Sequence, residues 1–134
     1  MKSIEIRKAL TDEWEKGVVK EGKEFAILTD EICKAWTGMT TREYKNLKDL
    51  KKDNLRDNMT NLELVLNMLA ETATTEISKK EEPKALEHHK KVARRGGAIA
   101  GNARKQVEKE TGRPALTSEN WRTRKSKLLG DRNR

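Results

Sequence analysis

The sequence predicts an all-α protein, a small bundle of about four to five helices with a basic, partly disordered C-terminal tail. Apolar residues recur at helical spacing, two capping-box motifs precede such runs, and no strong two-residue alternation or internal repeat is present. The chain has 134 residues, of which 34% are hydrophobic and 39% charged. This length and composition suit one small domain with a modest core. We predict a helical domain over residues 1–116 and a basic tail over residues 117–134.

The first predicted helix runs from Ile4 to about Glu15. Its apolar residues fall loosely on one face, which indicates a short amphipathic helix: Ile4, Ala9, Leu10 and Trp14. The following stretch "KGVVKEGKEF" contains Gly17 and Gly22 and predicts a turn or loop. A short strand at Val18 and Val19 is an alternative within it.

The next two predicted helices have recognisable ends. We predict that Thr29 is the N-cap of the first, with carboxylates in its first turn and Gly38 at its end. Thr40 and Glu43 form a capping-box pattern that begins the second helix. The second carries a stripe of apolar residues at spacing three, namely Tyr44, Leu47 and Leu50. Residues 53–59 are polar and predict a corner.

The predicted core helix covers about residues 60–80. It begins with a second capping box, formed by Thr60 and Glu63. Apolar residues then recur at steps of four, three, four and four, which predicts a buried face over four turns: Leu62, Leu66, Leu69, Ala73 and Ile77.

A basic helix rich in glycine and alanine is predicted over about residues 84–111, between Pro83 and Gly112. Ala93, Gly97 and Gly101 lie four residues apart on it. Each glycine inside a helix costs about 1 kcal/mol relative to alanine, so the stripe indicates very close helix packing. Two readings stay open, one continuous helix or a break into two helices at residues 95–97.

The positive charge is concentrated in the C-terminal part of the chain. Residues 1–82 contain 15 basic and 17 acidic residues, whereas residues 83–134 contain 15 basic and 5 acidic residues. Such asymmetry suggests contact with a polyanion such as a nucleic acid. A solvated lysine-rich face and a basic tail balanced by an acidic partner surface are together an equal alternative. The candidate nucleic-acid contacts on the basic helix are Lys90, Lys91, Arg94, Arg95, Arg104 and Lys105.

The sequence contains no pattern typical of an enzyme or a metalloprotein. His88 and His89 are adjacent and point about 100° apart on a helix, and Cys33 is the only cysteine. Nucleophile-elbow and P-loop motifs are absent. We therefore expect no catalytic residue, no metal and no cofactor. No run of apolar residues is long enough for a membrane span or a secretion signal, so we expect a cytoplasmic protein.

Several motifs in a fixed order resemble a known family. They are "TDEI" followed by a tryptophan, "TTREYKNLK", "LRDNMTNLEL", and a helix containing "VARRGGAIAGNAR". Over roughly residues 4–116 the chain resembles the C-terminal region of the DNA-damage-inducible protein D family, a segment also present in phage antirepressors with a BRO-type N-terminal domain. The BRO-type domain itself is not expected here. The resemblance implies a regulatory role in a damage-response or prophage setting, through binding rather than catalysis.

Three functional hypotheses follow. The first is a non-enzymatic regulatory module that binds a protein partner, such as a repressor, recombinase or nucleoprotein, and touches DNA through its basic segment. The second is a phage-encoded inhibitor of a host repressor, recombinase or defence nuclease. The third is an oligomerisation domain separated from its reader domain. The glycine–alanine stripe would suit packing between copies of the chain, and packing within one chain explains the stripe equally well.

Overall fold

The computed structural model describes residues 2–123 and 125, and these residues form an all-α bundle, as the sequence predicts. No strand occurs among them, so the alternative of a strand at Val18 and Val19 is wrong. The helices are α1 (Lys2–Lys16), α2 (Lys23–Thr37), α3 (Thr41–Leu47), α4 (Asn61–Glu81) and α5 (Leu86–Thr111), with a 3₁₀ turn over Arg56–Asn58 between α3 and α4.

The longest helix, α5, packs against both α2 and α4. Helix α1 also packs against α4, and the short α3 packs against α2. The apolar core forms where these helices meet, and burial of its side chains is the main force that holds the bundle together. The core includes Leu10, Trp14, Leu28, Ile32, Trp36, Tyr44, Leu66, Ala70, Ala93 and Ala100.

Glycines allow α5 to approach its two neighbours closely. A methyl group on Gly97 would lie 2.7 Å from the carbonyl oxygen of Ile32, and one on Gly101 would lie 2.7 Å from that of Ala35. On the α4 side, a methyl group on Gly96 would lie 2.7 Å from the Cα of Thr74. The predicted close packing is confirmed, and α5 is continuous through residues 95–97. Because the stripe is buried inside one chain, it is not available for pairing copies.

Local signals predict most helix ends correctly. Both capping boxes form, since Thr40 and Thr60 accept hydrogen bonds from the backbone of Glu43 and Glu63 and receive the reciprocal bonds. Gly38 and Gly112, at the C-terminal ends of α2 and α5, adopt left-handed conformations with φ of 80° and 68°. Such conformations favour glycine because other residues carry a Cβ that clashes there.

The predicted N-cap at Thr29 is wrong. Helix α2 begins at Lys23, six residues earlier, so Thr29 lies inside the helix. Its hydroxyl donates to the carbonyl of Phe25 at 2.7 Å and accepts a hydrogen bond from Arg7. Threonine is favoured at N-caps, but inside a helix its hydroxyl can also bond to the carbonyl four residues earlier, so residue type alone did not separate the two roles.

The buried face of α4 also differs from the predicted stripe. The buried residues include Leu66 and Ala70, but the others are polar: Glu63, Glu71, Thr74, Thr75 and Ser78. Leu62 and Leu69 are each 37% exposed and Val65 is 60% exposed. Of the five predicted stripe residues, Leu66 is buried, Ala73 and Ile77 are half-buried, and Leu62 and Leu69 are exposed. The buried face is displaced toward the polar side of α4, which packs against α1, α2 and α5.

The apolar faces of α1 and α3 are confirmed only in part. Leu10 and Trp14 are fully buried, whereas Ile4 is 64% exposed and Ala9 is also exposed. On α3 and just after it, Tyr44 and Leu50 are buried, while Leu47 lies partly exposed at the last position of the helix.

A polar cluster holds the start of α4 against α3. Glu63 accepts hydrogen bonds from the hydroxyl of Tyr44 and from Lys48 Nζ, and all three side chains are fully buried. Lys48 Nζ also donates to the carbonyls of Thr117 and Glu119, at 2.9 Å and 2.6 Å. Every proton of the buried ammonium group therefore has an acceptor.

The packed body continues past the predicted boundary at residue 116. The side chain of Asn120 is buried and donates to the carbonyl of Lys48, and the backbone of Trp121 donates to Asn58. Residues 115–123 thus form a strap, held against the end of α3 and the start of α4. The rest of the predicted tail, apart from Lys125, lies outside the described residues.

No helix within the described residues combines the length and the apolar character needed to cross a membrane.

Candidate nucleic-acid interface

A row of basic side chains follows the solvent-exposed side of α5. The exposed positions 91, 95, 98, 102, 105 and 109 recur every three or four residues, which places them on one face of the helix. We define the basic face by its five exposed cations, Lys91, Arg94, Arg95, Lys105 and Lys109. It extends for about 27 Å, since each helical residue rises about 1.5 Å.

The middle of the basic face is uncharged. Ala98 and Asn102 are exposed between the two groups of cations. Ile99, which is 46% exposed, borders them on the side of Arg95. The buried glycines on the opposite sides of α5 anchor the helix between α2 and α4. The basic face is therefore carried by a well-packed helix.

Two carboxylates border the basic face and pair with its arginines. Arg94 Nε lies 2.8 Å from Glu31 on α2, and Arg95 Nη1 lies 2.7 Å from Glu81 on α4. The Glu31 carboxylate raises the pKa of the Arg94 guanidinium, and hydrogen bonds from His88 and Arg95 lower the pKa of Glu81. Both arginine side chains remain more than half exposed, so their free N–H groups can still meet a phosphate.

The three lysines of the basic face are not paired in this way. Among the residues that the structure describes, Lys91, Lys105 and Lys109 form no ion pair. They are exposed point charges on flexible stems, as expected for contacts to a phosphate backbone.

The structure corrects the predicted set of contacts at Arg104. This side chain lies on the inner side of α5, where Nε donates to the carbonyl of Trp36 and Nη1 donates to Glu108, at 2.8 Å and 3.0 Å. Glu108 in turn accepts a hydrogen bond from the backbone of Ala115. Arg104 thus connects the end of α2 to the turn after α5. Its role is structural, and it does not belong to the basic face.

Lys90 lies at the edge of the basic face. Its side chain is only 23% exposed and pairs with Glu87, one turn earlier, at 3.1 Å. Of the six predicted contacts, the structure therefore places Lys91, Arg94, Arg95 and Lys105 together. Lys109 was missed, although continuing the same three- and four-residue spacing for one more turn identifies it.

The described residues also contain no cluster suited to metal binding, because no three His, Cys, Asp or Glu side chains come together. Cys33 is buried in the core beside Thr37, and burial raises the pKa of its thiol. A thiol in that state is a weak nucleophile, since the thiolate is the reactive form.

The chain matches no protein-family model, no curated protein and no solved structure.

Proposed function

We propose that the chain is a non-enzymatic regulatory module that binds DNA through the basic face of α5 and acts together with a protein partner. The proposal of DNA binding rests on one observation. One exposed side of a long, well-anchored helix presents Lys91, Arg94, Arg95 and Lys105. Side chains of this kind contact phosphates and hold a protein on DNA with little dependence on base sequence.

The surrounding charge supports a polyanion as the target. Residues 83–134 hold 15 of the 30 basic residues of the chain but only 5 of its 22 acidic residues. The resemblance to the DNA-damage-inducible protein D family supports a regulatory setting for this binding.

DNA binding is tested by fluorescence anisotropy with labelled duplex and single-stranded DNA at increasing salt. We expect the binding constant to fall steeply, with a logarithmic slope of about −0.9 for each phosphate contacted in duplex DNA. The variant Lys91→Ala/Lys105→Ala removes two unpaired lysines without disturbing an ion pair. It should bind more weakly and shift the slope by about one to two units toward zero.

A matched control removes the same charge elsewhere. Lys20 and Lys52 are exposed and lie outside α5, so Lys20→Ala/Lys52→Ala should bind DNA like the unchanged protein. The absence of binding at low salt, or an equal loss in both double variants, would contradict the DNA part of the proposal.

The exposed apolar stripe of α4 favours the protein-binding part. Leu62, Val65 and Leu69 are spaced by three and four residues and are all at least 37% exposed. Grouped apolar side chains on a surface typically mark interaction sites. This stripe is also the feature that fits the alternative of a phage-encoded inhibitor of a host regulatory protein.

Protein binding is tested by capture from a nuclease-treated lysate with the unchanged chain and with Leu62→Gln/Val65→Gln/Leu69→Gln. A partner that binds only the unchanged chain supports this surface. Equal capture by both proteins, or by neither, argues against it.

A further inference from the structure

A cleft on the side of α2 away from α5 collects positive charge. It consists of an outer cavity of about 750 Å³ and an inner cavity of about 350 Å³, which share Arg7, Thr29, Thr41 and Lys45 among their lining residues. Both volumes fall within the usual range for small-molecule sites. Five cations line the cleft, Arg7, Arg42, Lys45, Lys51 and Arg56, against two anions, Asp30 and Glu71.

The two acidic groups do not neutralise this charge. Glu71 Oε2 accepts hydrogen bonds from both Arg7 and Arg56, at 3.2 Å and 2.8 Å, so two guanidinium groups share one carboxylate. Asp30 accepts a hydrogen bond from the backbone of Thr41. Lys45 is half-buried and forms no ion pair with any described residue. An excess of positive charge in a partly desolvated cavity favours an anionic ligand.

The arginines of the cleft are held in position by contacts on several helices. Arg7 donates to the hydroxyl of Thr29 at 2.7 Å and stacks over the ring of Trp14, and Arg56 donates to the hydroxyl of Ser3 at 2.6 Å. Side chains fixed in this way lose little conformational freedom when they bind a ligand. The cleft therefore contains pre-positioned donors of the kind that bind phosphate oxygens.

The remaining lining determines the class of ligand. Glu71 lines the inner cavity, and its buried Oε1 has no hydrogen-bond donor among the described residues, so a ligand hydroxyl that enters the cavity could supply the missing donor. In the outer cavity, Phe25, Ala26 and Leu50 add an apolar wall that a flat ring can cover. Phosphate, hydroxyl groups and a flat ring occur together in a nucleotide.

We propose that this cleft binds a free nucleoside monophosphate, with its phosphate near Arg7, Lys45 and Arg56 in the inner cavity and its base against Phe25 in the outer one. This site is separate from the basic face, because the two lie on different sides of α2. The result of the nucleotide-binding experiment is therefore independent of whether α5 binds DNA.

The test is an NMR titration of the full chain, labelled with ¹⁵N, with adenosine monophosphate and with adenosine. We expect saturable shifts at Thr29, Thr41 and Lys45 with the monophosphate and much weaker binding of adenosine. Equal affinity for both compounds, no saturation at millimolar monophosphate, or shifts confined to α5 would overturn the proposal.

Variants of single lysines locate the site. Lys45→Ala should raise the Kd for adenosine monophosphate about tenfold, equal to about 1.4 kcal/mol, without disturbing an ion pair of the fold. Lys52→Ala, an exposed lysine that does not line either cavity, should leave the Kd unchanged. An unchanged Kd in Lys45→Ala would count against the cleft.

A final titration distinguishes a free nucleotide from nucleic acid as the ligand of the cleft, since both contain phosphate. An oligonucleotide without a terminal phosphate should shift residues of α5 and leave the signals of Thr29 and Lys45 in place. If it displaces adenosine monophosphate from the cleft, the assignment to a free nucleotide is wrong.

Discussion

Lys48 and Glu63 form an ion pair with 2.7 Å between Nζ and Oε1, and both side chains are completely buried. Burying two charges removes their hydration, and the pair persists only because further hydrogen bonds surround it. The hydroxyl of Tyr44 donates to the same carboxylate, and burial together with Glu63 raises the pKa of this hydroxyl. The pair thus connects α3, the start of α4 and the strap of residues 115–123.

Removing the lysine charge should destabilise the protein strongly. In Lys48→Met, Glu63 keeps its buried carboxylate without a counter-ion, which costs about 3–5 kcal/mol in comparable cases. Urea denaturation followed by circular dichroism measures the change in the free energy of unfolding. Lys52→Met, at an exposed position on the same connection, should change it by less than about 0.5 kcal/mol. Similar stability of the two variants would contradict this account.

The strap should contribute to stability through its contacts with Lys48. Asn120→Ala removes a buried donor to the carbonyl of Lys48 and should lower the free energy of unfolding by about 1–3 kcal/mol. Glu119→Ala is the matched control, because residue 119 reaches Lys48 through its backbone carbonyl and not its side chain. If thermal unfolding shows no difference between the two variants, the contact between the strap and Lys48 does not stabilise the body.

Alanine should be unfavourable at the two glycines that face α2. Gly97→Ala and Gly101→Ala gain about 1 kcal/mol of helix propensity, yet the new methyl group would lie 2.7 Å from a backbone oxygen. Overpacking of this kind costs about 1–3 kcal/mol, so we expect a net loss of stability in chemical denaturation. Asn102→Ala, exposed on the same helix, should be neutral or slightly stabilising. A higher stability of Gly97→Ala would contradict this expectation and show that α2 and α5 can move apart without a cost in free energy.

Stability should fall in mildly acidic solution because of His89. Its ring is buried, with Nε2 2.9 Å from the carbonyl of Gly17, and Nδ1 is buried without a partner among the described residues. Burial lowers the pKa of His89 below its usual value of about 6.5. The unfolded chain therefore binds the proton more tightly, so the stabilisation is complete above about pH 6.5 and is lost as the pH falls toward the folded pKa.

The measurement is the free energy of unfolding at several pH values between about 5 and 8. His89→Gln should flatten the dependence in the acidic part of this range, whatever its effect on stability at neutral pH. An identical slope in the variant would assign the acid sensitivity to other groups.

Helix positions and ends were largely readable from the sequence, because they depend on hydrogen bonds and backbone conformations within a few residues. The capping boxes at Thr40 and Thr60 and the left-handed Gly38 and Gly112 are of this kind. Thr29 is the exception, since a threonine near acidic residues can cap a helix or bond within one. Local spacing also identified four members of the basic face, whose exposure follows from the period of α5.

Contacts between distant parts of the chain settled the remaining features. Burial of the polar side of α4 in place of Leu62 and Leu69 depends on where α1 and α5 pack. The position of Arg104 depends on the end of α2, 68 residues away in sequence. The glycine stripe was compatible with packing within one chain or between copies until α2 was placed against it. Periodicity shows that a helix has two faces, but the partners that surround the helix decide which face is buried.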